Sequence, residues 1–306
     1  MIKSYKLGGL FITILLCALN LKAQEDIVIS QYIHNQYAIN PAFGGARNDF
    51  SIYGAFKKQW VGVEQSPTKQ LLTVHSPLEN DNMALGLKIS NNTISVFKNT
   101  EITGSYTYRF HVTKKSQLAF GVNGGVRLSN TSWRDISTIS ENDPLFSANE
   151  SATNLALGAG VAWYSNNFYT SFSAPSLLFY NEEKKGKGEF NPSKINYLFS
   201  GGYLINTGST LAFQPSALLN FNPDKKLIWD AGATIIYNDL LWFTLGYRSL
   251  EETVVMFALQ PVSSLKIGYS YDYAMGKMSG LGSGSHEISL QFDFGYKIKS
   301  SNPKFF

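Results

Sequence analysis

From Phe50 onward the chain alternates apolar residues with small or polar ones, with a period of two almost everywhere. In "MALGLKIS" one face carries Met83, Leu85, Leu87 and Ile89, and the other carries Ala84, Gly86, Lys88 and Ser90. In "QLAFGVNGGVRL" Leu118, Phe120, Val122, Val126 and Leu128 alternate with Gln117, Ala119, Gly121, Asn123, Gly125 and Arg127. "HEISLQFDFGYK" opposes Ile288, Leu290, Phe292, Phe294 and Tyr296 to Glu287, Ser289, Gln291, Asp293, Gly295 and Lys297. Successive side chains of a strand point to opposite faces, so each segment is a strand with one apolar and one small or polar face. About fourteen such segments are predicted, centred roughly on residues 55, 72, 86, 105, 122, 159, 170, 200, 215, 232, 244, 256, 268 and 291. Their length of about ten residues suits a tilted strand crossing a bilayer.

The connections sort by parity. With the first strand running outward, the odd connections fall near 61–67, 91–98, 129–152, 174–194, 222–226, 249–252 and 274–284. The even ones are tighter: "SPLEND" at 76–81, "HVTKK" at 111–115, Asn166-Asn167, "NTG" at 206–208, Asn238-Asp239 and "PVSS" at 261–264. Outer-membrane barrels have short periplasmic turns and long outer loops, whereas a soluble sandwich has no reason to sort its loops this way. Trp60, Tyr106, Tyr108, Phe110, Trp163, Phe168, Tyr203, Phe213, Trp242, Tyr247, Tyr269, Tyr271 and Tyr273 lie at or near predicted strand ends, where amphipathic rings favour the membrane interface. The expected fold class is therefore all-β: a transmembrane antiparallel β-barrel of about 14 strands, with an N-terminal strap outside the barrel and long extracellular loops.

The first residues read as an address. Lys3 and Lys6, an apolar run from Leu7 to Leu21 and the small Ala23 make a secretory signal peptide over 1–23, cleaved before Gln24. A lipoprotein anchor does not fit, because Leu16 precedes Cys17 where a small residue is needed. Cys17 is the chain's one cysteine, so the mature protein has no disulfide framework and no cysteine metal site. Loss of Lys3, Lys6 and Lys22 takes the formal charge from +4 to +1 (23 basic against 22 acidic residues), which gives no electrostatic affinity for nucleic acid. The remaining boundaries are a strap over 24–49, a barrel over 50–297 and a tail over 298–306.

Candidate chemistry is sparse. His34, His75, His111 and His286 form no pattern that sets two ligands on one surface. Ser76 beside His75, and Ser285 beside His286, point to opposite strand faces, and no G-x-S-x-G elbow occurs. "GVNGGV" and "LGAGVAW" lie inside strands with no following helix, so they are small lumen-facing residues that leave room for a plug or ligand rather than phosphate loops. Glu182-Glu183 and Glu251-Glu252 read as solvated loop charge, and "NEEKKGKGEFNPSK" (181–194) as open loop. No enzyme, cofactor or metal is expected.

The stretch "SQYIHNQYAINPAFGGARN" (30–48) is too polar for a core strand and too rich in Asn, Gly and Pro for a stable helix. Asn35, Asn40 and Asn48 are expected to cap turns, Pro41 to fix the chain after Asn40, and Gly44-Gly45 to allow positive φ. Tyr32, Tyr37 and Phe43 offer anchoring bodies. The expectation is a strap folded against the periplasmic mouth or into the lumen, closing the barrel and offering a surface to periplasmic partners.

With "KKQWVGVEQSPTKQ" (57–70), "HSPLENDNMALGLKISNNTISVFKNTEITGSYTYRF" (75–110) and "LAFGVNGGVRL", the chain resembles the PorP/SprF family of outer-membrane proteins of the type IX secretion system. The resemblance rests on a Q-Y-x-x-N…N-P-A-x-x-G element (Gln31, Tyr32, Asn35, Asn40, Pro41, Ala42, Gly45) and a Q-W-x-G…P element (Gln59, Trp60, Gly62, Pro67). The tail "KIKSSNPKFF" departs from it, since such chains more often stop at the aromatic end of the last strand. The resemblance implies a non-enzymatic role in export or cell-surface anchoring of a large, adhesin-like cargo with a C-terminal sorting domain, as in gliding motility. The implied partners are that cargo, periplasmic components of the same system and outer-membrane lipids. The alternative is a passive or hydrophobic-solute channel.

Overall fold

The computed structural model describes residues 29–295 except 80, 134–148, 181–187, 209, 226, 276–278 and 281. The expected signal peptide and C-terminal tail lie outside these residues. The strands are β1 (Phe50–Lys58), β2 (Thr68–Pro77), β3 (Met83–Ile94), β4 (Phe97–His111), β5 (Ser116–Thr131), β6 (Glu150–Ser165), β7 (Phe168–Ala174), β8 (Leu178–Tyr180), β9 (Gly188–Phe190), β10 (Tyr197–Tyr203), β11 (Ile205–Asn206), β12 (Leu211–Phe221), β13 (Ile228–Tyr237), β14 (Leu241–Arg248), β15 (Glu252–Val262), β16 (Leu265–Ala274) and β17 (Ser285–Phe294).

Neighbours in the chain pair antiparallel, β7 pairs with β10, and β10 with β12. The ring closes where β1 meets β17, from Phe50 opposite Phe294 to Lys58 opposite His286. Beyond Leu204, β11 prolongs β10 along β12, while β8 and β9 form a separate hairpin. The result is a closed barrel of fourteen strands. Closure leaves no sheet edge, which a lipid environment requires because it offers no hydrogen-bond partners to the backbone.

All fourteen segments expected from the alternation are strands, and burial is inverted relative to a soluble protein. Leu87, Phe120, Leu155 and Leu290 point outward and are exposed, whereas Lys57, Thr107, Arg109 and Glu287 point inward with at most 1% exposure. Outward rings pair near the strand ends: Trp163 against Phe168 at 4.9 Å, Trp229 against Tyr247 at 5.6 Å and Phe110 on Phe120 at 6.1 Å between centroids. Trp242 departs from the interfacial expectation. It is 1% exposed and lies inside, because its position in β14 shares the lumen face with Thr244 and Arg248.

The long connections, 132–149, 175–196 and 275–284, all lie at one end, and β1 starts and β17 finishes at the other. Two connections differ from expectation. β3 and β4 run on to Ile94 and from Phe97, leaving a tight turn at Ser95-Val96 with Ser95 at φ +52°. The 181–194 segment is not open throughout, since Gly188–Phe190 pairs with Leu178–Tyr180 and Pro192–Lys194 form a 3-10 turn behind an Asn191 cap. Residues 181–187 lie outside those described.

Candidate functional site

The strap occupies the lumen. Ser30–His34 (kinked at Gln31), Gln36–Ala38 and Pro41–Phe43 are short 3-10 segments, and nearly every residue from Ile29 to Asn48 is buried. Such short turns satisfy few of their own backbone groups, so inward polar side chains of the wall complete them.

At the start of the strap, the Ser30 and Gln31 amides donate to the Glu287 carboxylate at 2.8 and 3.2 Å. The Ser30 hydroxyl donates to Asp272 Oδ2 at 2.6 Å and accepts from Lys57 Nζ at 2.7 Å. Lys57 also pairs with Asp272 at 2.6 Å, and Asp272 lies 3.7 Å from Arg248, which holds Asp230 and Glu252 at 3.0 and 2.7 Å. Lys57 and Arg248 thus sit among the four carboxylates of Glu287, Asp272, Glu252 and Asp230, and the strap docks on this cluster through Ser30 and Gln31. Ser289 donates to Gln31 Oε1 at 2.6 Å, while Tyr32 and Ile33 pack on Leu198, Leu218, Val254 and Met256.

In the middle, the Asn35 amide donates to Thr73, Gln36 bridges the Tyr169 and Ser200 hydroxyls, and the Tyr37 hydroxyl meets Ser105 at 2.7 Å. His34 lies edge-on to Trp242 at 5.5 Å, with Lys266 Nζ 3.4 Å from the centre of that indole. Burial, reinforced by the Lys266 and Arg47 charges, holds the His34 imidazole well below the ordinary histidine value, so this ring packs as a neutral aromatic.

Nearer the short-turn end, Asn40 accepts from the Ala42 amide at 2.9 Å and donates to the carbonyls of Val161 and Phe172. Thr107 donates to the Pro41 carbonyl at 2.7 Å, Phe43 stacks on Tyr164, and the Gly45 carbonyl accepts from Arg109 at 2.6 Å. Arg47 reaches Asp293 and the His34 carbonyl, tying the end of the strap to its beginning. The wall gives way to the strap: a Cβ at Gly121 would strike Pro41 and Ala42, at Gly160 Asn40, and at Gly268 Gln31. These glycines in mid-strand mark close approach of another backbone or side chain, as the small-residue face of the strands suggests.

Of the residues singled out from the sequence, Gln31, Tyr32, Asn35, Asn40, Pro41 and Gly45 come together inside the barrel, all buried. Gln59 and Trp60 lie elsewhere, half-buried in the β1–β2 connection, where the Val61 amide and carbonyl pair with Gly284 and Ser283 of the β16–β17 connection. Two details of the strap differ from expectation. Asn35 spends its amide on Thr73 rather than on a cap, and Gly44 sits at φ −54° while Gly45 takes the left-handed conformation at +65°. The Cβ of a residue at 44 would meet Thr107, so that position is glycine for space. Sequence reasoning misses the buried ion pairs of Lys57, Arg248, Asp272 and Glu287. Their signal is present, since each charge falls on the non-lipid face of a membrane strand.

A cavity of about 320 Å³ remains on the long-connection side of the strap, with Ile29, Ala38 and Ile39 as its floor. The model of the family described as "Type IX secretion system membrane protein PorP/SprF" matches residues 21–292. The chain belongs to this family. The fold and the family place it in the outer membrane as a type IX secretion component. Solved barrels share the architecture at low identity. CymD, described as a monoaromatic hydrocarbon channel, is 10% identical with a TM-score of 0.52, covering 86% of this chain and 94% of its own. The Ralstonia pickettii toluene transporter TbuX is 10% identical with a TM-score of 0.50, covering 84% and 92%. No curated protein matches the sequence.

Proposed function

We propose that this family member assists the export or cell-surface anchoring of a large, adhesin-like cargo bearing a C-terminal sorting domain, together with periplasmic type IX secretion components. The observation that supports it best is the strap. A lumen whose strap is bonded to the walls through Glu287, Asp272, Thr73, Tyr169 and Thr107 makes a rigid mount rather than an open pore. The long connections then form the outward face available to cargo, and the short-turn end carries the strap's exit, near which periplasmic partners dock. Gln31, Tyr32, Asn35, Asn40, Pro41 and Gly45 act by fixing the strap, and Gln59 and Trp60 by fixing the β1–β2 connection. The alternative, a passive or hydrophobic-solute channel, requires the strap to leave and so break these bonds.

Affinity isolation of the tagged protein from native outer membranes, followed by mass spectrometry, tests the proposal. Recovery of one large surface protein with a C-terminal sorting domain, along with periplasmic components, is expected. Recovery of the barrel alone under mild detergent would count against it. Deleting residues 30–45 should abolish association with the periplasmic partners while leaving a heat-modifiable barrel.

A further inference from the structure

The cavity above the strap has two unlike walls. On β2 to β5 the lining is polar and cationic: Lys69, Lys88 and Arg127 project there, with Ser90, Asn92 and Asn99 between them. Glu101, the one acidic residue among the described lining, is held by Lys88 at 3.0 Å and by Arg127, so cations exceed anions on this wall. On β10, β12 and β13 Leu198, Leu218 and Ile228 make an apolar strip continuous with the floor of Ile29 and Ile39, with Asn220 on β12 and Lys225 in the β12–β13 connection at its outer edge. Above them, Asn222 is already spent on the Lys194 carbonyl and Asn196 at 3.0 and 2.8 Å. The volume, about 320 Å³, lies at the lower end of the range of small-molecule sites.

A water-filled gap beside a plug has no need of an apolar wall facing a cationic one. We infer that this cavity binds a small amphipathic anion, with its carboxylate towards Lys69, Lys88 and Arg127 and its apolar body on Leu198, Leu218 and Ile39. Cationic side chains give charge-assisted hydrogen bonds to the carboxylate. The aliphatic wall takes the rest out of water. The inference goes beyond the secretion role and stands whether or not cargo is found.

The test uses the full chain in lipid nanodiscs, titrated calorimetrically with 3-phenylpropionate, with the neutral 3-phenylpropan-1-ol and with the cationic 3-phenylpropylamine, against empty nanodiscs. Saturable binding of the carboxylate is expected, with the alcohol at least about tenfold weaker and the amine weaker still. Lys69→Gln and Arg127→Gln should each weaken the carboxylate but not the alcohol, and Leu218→Asn should weaken both, with heat-modifiable migration confirming an intact barrel. Equal affinity for carboxylate and alcohol, preference for the amine, indifference to these substitutions, or no saturable binding up to about 10 mM would each overturn the inference.

Discussion

The two faces of this barrel are held in place by different physics. Outward, Leu85, Leu87, Phe120, Val122, Ile288, Leu290 and Phe294 need only be apolar, because lipid makes no directional demand. Inward, Lys57, Thr107, Asp272 and Glu287 each meet a named partner on the strap or an adjacent strand. The outer face therefore tolerates any change that keeps it apolar, whereas the inner face tolerates few changes at the side chains that hold the strap.

The heaviest damage is expected from inside. Lys57→Met leaves Asp272 and Glu287 buried with less compensation and the Ser30 hydroxyl without its donor, a loss of about 3 to 5 kcal/mol. Urea unfolding in liposomes, followed by tryptophan fluorescence, would measure it. Next comes a charge on the outer face: Leu87→Arg should cost about 2 to 4 kcal/mol near the bilayer midplane, while Leu87→Phe in the same assay should cost under about 1.5 kcal/mol. Third is the strap's middle. Asn40→Ala removes a cap and two hydrogen bonds to wall carbonyls and should cost about 1 to 3 kcal/mol, with faster proteolysis at the strap as the confirming observation. Smallest is Lys88→Ala, expected to cost about 1 kcal/mol or less because Glu101 keeps Arg127. If Lys88→Ala and Leu87→Arg were equally damaging, the distinction between the faces would fail.

The outer face is legible in the sequence and the inner one only in part, for a reason of range. Alternation is local, so Leu85, Leu87 and Ile89 declare their face without knowing their neighbours. At Asn91–Ile94 the polar run reads as loop because the hairpin carries few apolar positions there, yet its pairing with Phe97–Thr100 continues. The strap's bonds join residues such as Ser30 and Glu287 that lie far apart in the chain, and no local pattern announces them. Composition shows that 30–48 is a shaped, capped segment, and the Asn40 cap and Gly45 conformation follow from residue type. That Asn35 turns to Thr73 depends on which strands surround the strap. Position in the period places Trp242 inside, with Thr244 and Arg248, and outweighs the general preference of aromatic residues for the interface.

Whether the strap closes the lumen decides between a mount and a pore, and planar-bilayer conductance of the purified full chain reads it directly. Silence is expected from the intact protein, and ion-conducting steps from the chain lacking residues 30–45. Steady conductance by the intact chain, unchanged when the strap is removed, would show that the strap does not seal the barrel.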